Sequence, residues 1–252
     1  MPIPMTPLLA DFAIRLACGL AVLLLATPWR IVPSGFFKTH SQIVLGLLVL
    51  AALDMSRGGV TPPALVVIVA AVLSYLAAIT WGLGLPRVAL PVTAAIVLAT
   101  GGILVAVSRT PETEAWALAA SGRLASAFLL GSTFTAMLLG HHYLITPAMS
   151  ITPLRRVVKF MALGLGIRWL LAGLSLWFWL HETPASNLSA TVSPMFLAIR
   201  WGMGFVGLAL AIVMTWKTVE IRSTQSATGI LYIAVIFVLI GELTSFYSPA
   251  LG

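Results

Sequence analysis

The chain has 252 residues, of which 60% are hydrophobic and 8% are charged, and its mean hydropathy is +1.07. A soluble globular domain carries about 25% charged residues, so this composition excludes a protein that is surrounded by water. The formal charge of +7 does not indicate nucleic-acid binding, because most of the cations fall in short loops, where membrane topology selects them. We therefore predict an all-α, polytopic integral membrane protein that contacts the lipid bilayer and has no nucleic-acid partner.

Runs of about 20 mainly apolar residues, the length that spans a bilayer, predict eight transmembrane helices. In chain order the runs cover residues 8–27, 39–55, 64–84, 88–107, 117–143, 158–180, 195–216 and 227–247. The first run lacks the basic flank of a cleaved signal peptide, so we expect its helix to be retained. Since the loops are short, we treat residues 1–252 as a single transmembrane domain.

The loop cations predict how the helices are oriented. The loops after the first, third, fifth and seventh runs hold most of the cations, whereas the remaining loops hold only Arg57 and Arg109. The cations of the first set are Arg30, Lys38, Arg87, Arg155, Arg156, Lys159, Lys217 and Arg222. Cytoplasmic loops are enriched in Lys and Arg, so we expect both termini to lie outside the cytoplasm. We expect the membrane to be a bacterial inner membrane.

The two halves of the chain show a faint internal similarity. Residues 14–25, IRLACGLAVLLL, match residues 122–133, GRLASAFLLGST, in an Arg-Leu-Ala start followed by small residues. Repeats of four spans would be parallel, related by an axis along the membrane normal. A duplication that relates 8–107 to 117–247 is one interpretation, and a chance match among small and apolar residues is the other.

Ionisable residues within the predicted spans are the strongest functional signal. They are Asp11, Arg15, Arg123, Arg168, Arg200 and Glu242. A charge at the bilayer centre costs about 2.5–3.5 kcal/mol on insertion scales, and such residues are candidates for functional sites. The candidates for ligand or anion binding are Arg15, Arg123, Arg168, Arg200 and Glu242. The alternative is structural pairing, with side chains that extend to the membrane surface.

The balance of these charges leads to a specific prediction. Asp11 and Arg15 lie one helical turn apart and can pair. Helices joined by short loops usually pack together, so we predict that Arg168, Arg200 and Glu242 form one buried network. About two arginines would then lack a counter-ion within the chain. An external anion, such as a haem propionate, a lipid phosphate or a carboxylate substrate, would supply one.

Histidines near the end of the fifth span are candidates for binding haem or quinone. His141 follows Arg123 by 18 residues, which is five helical turns and about 27 Å. Because the two then share a helix face, we predict that His141 faces the bundle interior and that His142 lies nearer the interface. His40 and His141 form the one pair that could ligate haem b. His141, His142 and Tyr143 could instead hydrogen-bond a quinone beside an aromatic wall.

The sequence leaves three functions open. The first is a membrane-embedded subunit of an electron-transfer or respiratory complex that interacts with quinone or haem, since eight spans in two halves are similar in layout to quinol-handling membrane anchors. The second is a small-anion transporter that uses buried arginines. The third is a structural or assembly subunit without its own chemistry. The first and third imply other subunits as partners. HExxH, CxxC and nucleophile motifs are missing, so we predict no metal site, and enzymatic activity is left open.

Overall fold

The computed structural model describes residues 8–57, 59–109, 116–146, 148–182 and 194–246. These residues form eight helices that are long and apolar enough to cross a membrane, and they contain no strand. The predicted all-α class with eight membrane helices is therefore confirmed. The helices are α1 (Leu8–Ala26), α2 (Ser34–Met55), α3 (Pro62–Gly82), α4 (Pro86–Ser108), α5 (Trp116–Ile145), α6 (Thr152–Glu182), α7 (Pro194–Glu220) and α8 (Thr224–Thr244).

Three helices extend into segments that the sequence predicts as loops. α2 begins at Ser34, which places His40 in its second turn, and α6 begins at Thr152, so that Arg155 and Arg156 are helical. α7 continues to Glu220. The physical reason is that Lys and Arg interrupt an apolar run but are good helix formers, so they do not end a helix. The last predicted run, 227–247, corresponds to 224–244, and residue 247 lies outside the described residues.

The helices are arranged in two groups of four. Within α1–α4, each helix packs against the next and α4 packs back against α1, and α5–α8 repeat this order. The groups meet mainly through α1 and α5. There a Cβ on Gly19 would overlap the carbonyl oxygen of Ala127, and one on Gly131 would overlap Gly19. Small residues permit this close approach of two backbones. The predicted duplication stays a prediction.

Large apolar side chains on the outside of the bundle form the surface that lipid covers. On α3, Val69 and Val72 are more than half exposed, and on α6 the same is true of Leu163 and Leu170. Exposed apolar side chains at helical spacing are stable only in an apolar solvent. The protein is therefore an integral membrane protein in contact with lipid.

Both ends of the described chain lie at the same end of the bundle. The ring of Phe12 packs edge-on against the ring of Phe246, with centroids 6.5 Å apart. We refer to this as the terminal end. The opposite end holds the α1–α2, α3–α4, α5–α6 and α7–α8 connections, with Trp29, Arg155 and Arg222 among its residues.

Candidate anion-binding site

Glu242 on α8 is the centre of a buried network of charges. Its Oε1 lies 3.1 Å from Arg168 Nε and 2.9 Å from Arg200 Nη1. Its Oε2 accepts hydrogen bonds from Arg168 Nη2 at 3.2 Å and from Ser126 Oγ at 2.5 Å. The three charged side chains are each 1% exposed. The predicted network of Arg168, Arg200 and Glu242 is confirmed, and it ties α6, α7 and α8 to α5.

Asp11 on α1 is shared by the two other arginines. Arg15 Nη2 donates to Asp11 Oδ2 at 2.5 Å, and Arg123 Nε lies 3.7 Å from Oδ1. Arg123 Nη1 also donates to Ser108 Oγ at 2.7 Å. The predicted pairing of Asp11 with Arg15 is confirmed. Arg123, which lies on α5 in the second group of helices, also contacts the carboxylate of Asp11 on α1.

The charges around Glu242 and those around Asp11 belong to one cluster, because Arg15 is close enough to interact electrostatically with Glu242 and Arg168. We refer to Asp11, Arg15, Arg123, Arg168, Arg200 and Glu242 as the arginine cluster. Four guanidiniums share two carboxylates, so the cluster carries an excess of two positive charges. Arginine does not lose its proton in proteins, so this excess persists in a medium of low dielectric constant.

Several guanidinium nitrogens in the cluster have no hydrogen-bond acceptor in the part of the chain that the structure describes. Arg200 Nη1 donates to the carbonyl oxygen of Gly241 at 2.5 Å. Its Nε and Nη2 are buried without a hydrogen-bond partner among the described residues, as is Arg15 Nε. The rings of Phe205 and Phe246 lie 4.6 Å from the Arg200 and Arg15 guanidiniums, respectively. These rings attract the positive charge but do not replace hydrogen-bond acceptors, so the free N–H groups can donate to an oxyanion.

The local structure of α7 explains how Arg200 reaches α8. Residues Arg200–Gly207 form a π-helical segment, a feature that is frequent at functional sites. A Cβ on Gly204 would stand 2.7 Å from Gly241 Cα, so glycine is needed at both positions. The close approach brings Arg200 to the carbonyl group of Gly241. Gly241 and Ser126 are partners in the network that the sequence analysis missed. The sequence holds a signal for both, because Gly241 directly precedes Glu242 and Ser126 follows Arg123 by three residues.

A groove of about 760 Å³ between α4 and α5 ends beside the cluster. Its lining residues are Val97, Leu98, Gly101, Gly102, Val105, Ala106, Arg109 and Leu124. Leu124 is the chain neighbour of Arg123, and Ser108, the hydrogen-bond partner of Arg123, is the neighbour of Arg109. The Arg123 side chain is 24% exposed. The groove therefore lies next to Arg123, the most exposed side chain of the cluster.

The histidines of α5 do not lie as predicted. His141 is exposed, with its Nδ1 3.5 Å from Tyr232 Oη, whereas His142 is half-buried with its ring against Phe36. The prediction that His141 faces the interior and His142 the interface is wrong. α5 has 30 residues, and packed helices cross at angles of about 20–50°, so its enclosed face changes along its length. The side of α5 that carries Arg123 faces other helices at the level of Arg123. At the level of His141 the same side of α5 faces outward.

His40 and His142, rather than His40 and His141, share an aromatic cluster at the opposite end. The Phe36 ring lies 3.9 Å from the His40 ring and 5.9 Å from the His142 ring, and Phe37 stacks on Trp81 at 4.4 Å. We refer to these five residues as the aromatic cluster. No ring contact or hydrogen bond joins His40 to His141 in the described part of the chain. The His40–His141 haem pair stays a prediction, and the described residues place His142 rather than His141 beside Phe36 and His40.

Three ring nitrogens of the aromatic cluster are buried without a hydrogen-bond partner among the described residues: His40 Nε2, His142 Nε2 and Trp81 Nε1. His40 Nδ1 donates to the carbonyl oxygen of Phe36 at 2.9 Å, so the neutral His40 ring presents Nε2 as an acceptor. Tyr143 Oη donates to the carbonyl oxygen of Ser150 at 2.5 Å and ties the end of the α5–α6 loop to α5.

The chain matches no family model, and no curated protein or solved structure is significantly similar to it. Within the described ranges, no three His, Cys, Asp or Glu side chains are grouped to hold a metal ion. Cys18 is buried and free. The arginine cluster and the aromatic cluster are therefore the features that indicate a function.

Proposed function

We propose that this protein binds an oxyanion, the carboxylate or phosphate group of an amphipathic molecule, at the arginine cluster. The observation that supports this is the excess charge: four arginines share two carboxylates, and three of their buried nitrogens lack an acceptor among the described residues. Arginine forms strong, often bidentate hydrogen bonds with carboxylate and phosphate. An oxyanion would thus neutralise the charge and accept the free hydrogen bonds. Of the functions considered from the sequence, this supports transport of an anion.

We infer that the ligand has an apolar part because the groove between α4 and α5 lies beside Arg123. The groove between α4 and α5 is lined by apolar residues and glycine along most of its length, with Arg109 at its terminal end. A tail in this groove would direct an acidic head past Arg123 toward the free N–H groups of Arg15 and Arg200. With both termini outside the cytoplasm, as the cation bias predicts for a bacterial inner membrane, the ligand would come from the outer leaflet.

Thermal unfolding of the purified protein tests this proposal. Dodecanoate and dodecyl phosphate are compared with dodecanol, which has the same tail and no charge. A ligand at 100 times its Kd stabilises by about 2.7 kcal/mol, so both acids should raise the unfolding midpoint, whereas the alcohol should not. Arg200→Gln should abolish this response, and Arg57→Gln, at a side chain that is 79% exposed, should preserve it. An equal response of the wild type and Arg200→Gln would refute the proposal.

The aromatic cluster favours a second candidate function, electron transfer with a quinone as a subunit of a larger membrane complex. A quinol hydroxyl group could donate to His40 Nε2, and a quinone carbonyl oxygen could accept from Trp81 Nε1. Phe36 and Phe37 would form the wall beside the ring. Small-molecule sites combine an apolar lining with a few polar groups that fix the orientation of the ligand. Haem b at this cluster would take His40 and His142 as its axial ligands.

Spectroscopy and extraction separate these alternatives. We expect solvent extracts of the purified protein to contain quinone, in smaller amounts for Trp81→Phe and in unchanged amounts for His141→Ala. A haem band in the reduced-minus-oxidised spectrum would show that the cofactor is haem rather than quinone. Extracts without quinone, together with a spectrum without haem, would leave the anion-binding proposal alone.

A further inference from the structure

A pocket of about 470 Å³ lies at the opposite end of the bundle, where α6 begins and α7 ends. Its lining residues are Thr152, Arg155, Arg156, Lys159, Trp216 and Glu220. Three cations thus face one carboxylate. That carboxylate has other partners, because Glu220 Oε1 accepts from Trp216 Nε1 at 2.7 Å and Oε2 lies 3.7 Å from Lys217 Nζ. The pocket therefore keeps a net positive charge.

The donors of the pocket are only partly used by the protein. Arg155 Nη2 reaches the carbonyl oxygen of Glu220 at a long 3.4 Å, and its buried Nε has no hydrogen-bond partner within the described residues. Lys159 Nζ lies 5.7 Å from the centre of the Trp216 ring and forms no salt bridge in the described part of the chain. The first turn of α6 begins at Thr152 and adds the positive end of its helix dipole. Side-chain charge and dipole both favour an anion.

We propose that this pocket binds the phosphate headgroup of an anionic phospholipid. Apolar side chains continue from the pocket toward the middle of the helices: Leu163 follows Lys159 by one turn and is 55% exposed, and Val213 precedes Trp216 by one turn and is 58% exposed. Acyl chains can lie along these surfaces while the headgroup stays among the cations. Basic pockets between transmembrane helices on the cytoplasmic side bind such headgroups, and the cation bias assigns this end to that side. This second site lies at the other end of the molecule from the arginine cluster and does not depend on it.

Native mass spectrometry of the detergent-purified protein, titrated with single lipids, tests this inference. We expect phosphatidylglycerol to remain bound at concentrations from which phosphatidylcholine dissociates. The double variant Arg155→Gln/Lys159→Gln should weaken phosphatidylglycerol binding by about fivefold for each cation removed. The matched control is Arg30→Gln/Arg87→Gln, which removes two exposed cations from the same end of the bundle and should bind like the wild type.

The inference fails if the wild type retains both lipids equally, a comparison that does not depend on whether a variant folds. It also fails if the Arg155→Gln/Lys159→Gln variant retains phosphatidylglycerol as well as the control does. Inorganic phosphate is the third arm. Should millimolar phosphate displace the lipid completely, the pocket is a site for a soluble anion and the lipid assignment is wrong.

Discussion

Arg168 Nε stands 3.1 Å from Oε1 and 3.2 Å from Oε2 of Glu242, and this contact joins α6 to α8 inside the membrane. Both side chains are 1% exposed. Burying an ion pair costs desolvation energy that the attraction barely repays, and apolar residues of similar volume often stabilise a protein at least as well. Stability alone therefore does not explain six ionisable residues in one cluster. A charged ligand bound at the cluster, as we propose, would explain it.

The first prediction concerns the carboxylate at the centre of the network. Glu242→Gln leaves Arg168 and Arg200 without a counter-ion, so it should destabilise the protein by about 3–5 kcal/mol. Glu220→Gln is the matched control, because it makes the same chemical change in a surface pair and should cost no more than about 1 kcal/mol. Unfolding in mixed micelles measures both. Equal losses would show that Glu242 does not hold the network together.

The second prediction concerns the contact between α7 and α8. Gly204→Ala would place a Cβ 2.7 Å from Gly241 Cα, so the two helices must separate and Arg200 must move. Overpacking of this kind costs about 1–3 kcal/mol. Gly202→Ala, on the same π-helical segment, adds a Cβ with nothing within 4 Å and should be close to neutral. If both variants unfold at the same midpoint, the glycine contact is not required.

The third prediction uses the charge balance of the cluster. Asp11→Asn raises the excess from two to three positive charges and should destabilise the protein by about 3 kcal/mol. Adding Arg123→Gln returns the excess to two, so the double variant should be more stable than Asp11→Asn alone. A double-mutant cycle of unfolding free energies measures this coupling. Simple additivity of the two losses would contradict the shared carboxylate.

The fourth prediction concerns sidedness, because the cation bias predicts that the arginine cluster lies in the outer half of the membrane. In a Cys18→Ser background, a cysteine at position 57 should react with a membrane-impermeant maleimide added to intact cells. A cysteine at position 155 should react only after the cells are opened. The reverse pattern would invert the topology and make the ligand approach from the cytoplasm.

The sequence predicted the helices and the Glu242 network because both follow from local signals. An apolar run of sufficient length has few alternatives to a membrane helix, and an intramembrane charge must find a partner. The burial of His142 and the exposure of His141 depend on how α5 crosses its neighbours, which no local pattern encodes. The partnership of Arg123 with Asp11 likewise depends on the contact between the two helix groups. The aromatic cluster required the earlier start of α2, which the polar residues at 40–42 concealed.

A high-resolution structure of the protein purified with dodecyl phosphate tests the central claim most directly, through the density beside Arg200. We predict a phosphate group within hydrogen-bonding distance of Arg200 Nε and Nη2, near Arg15 Nε, with its tail directed toward the groove between α4 and α5. The contradicting result is a guanidinium of Arg200 that is hydrogen-bonded only by protein carbonyl groups or water, with no anion in the cluster.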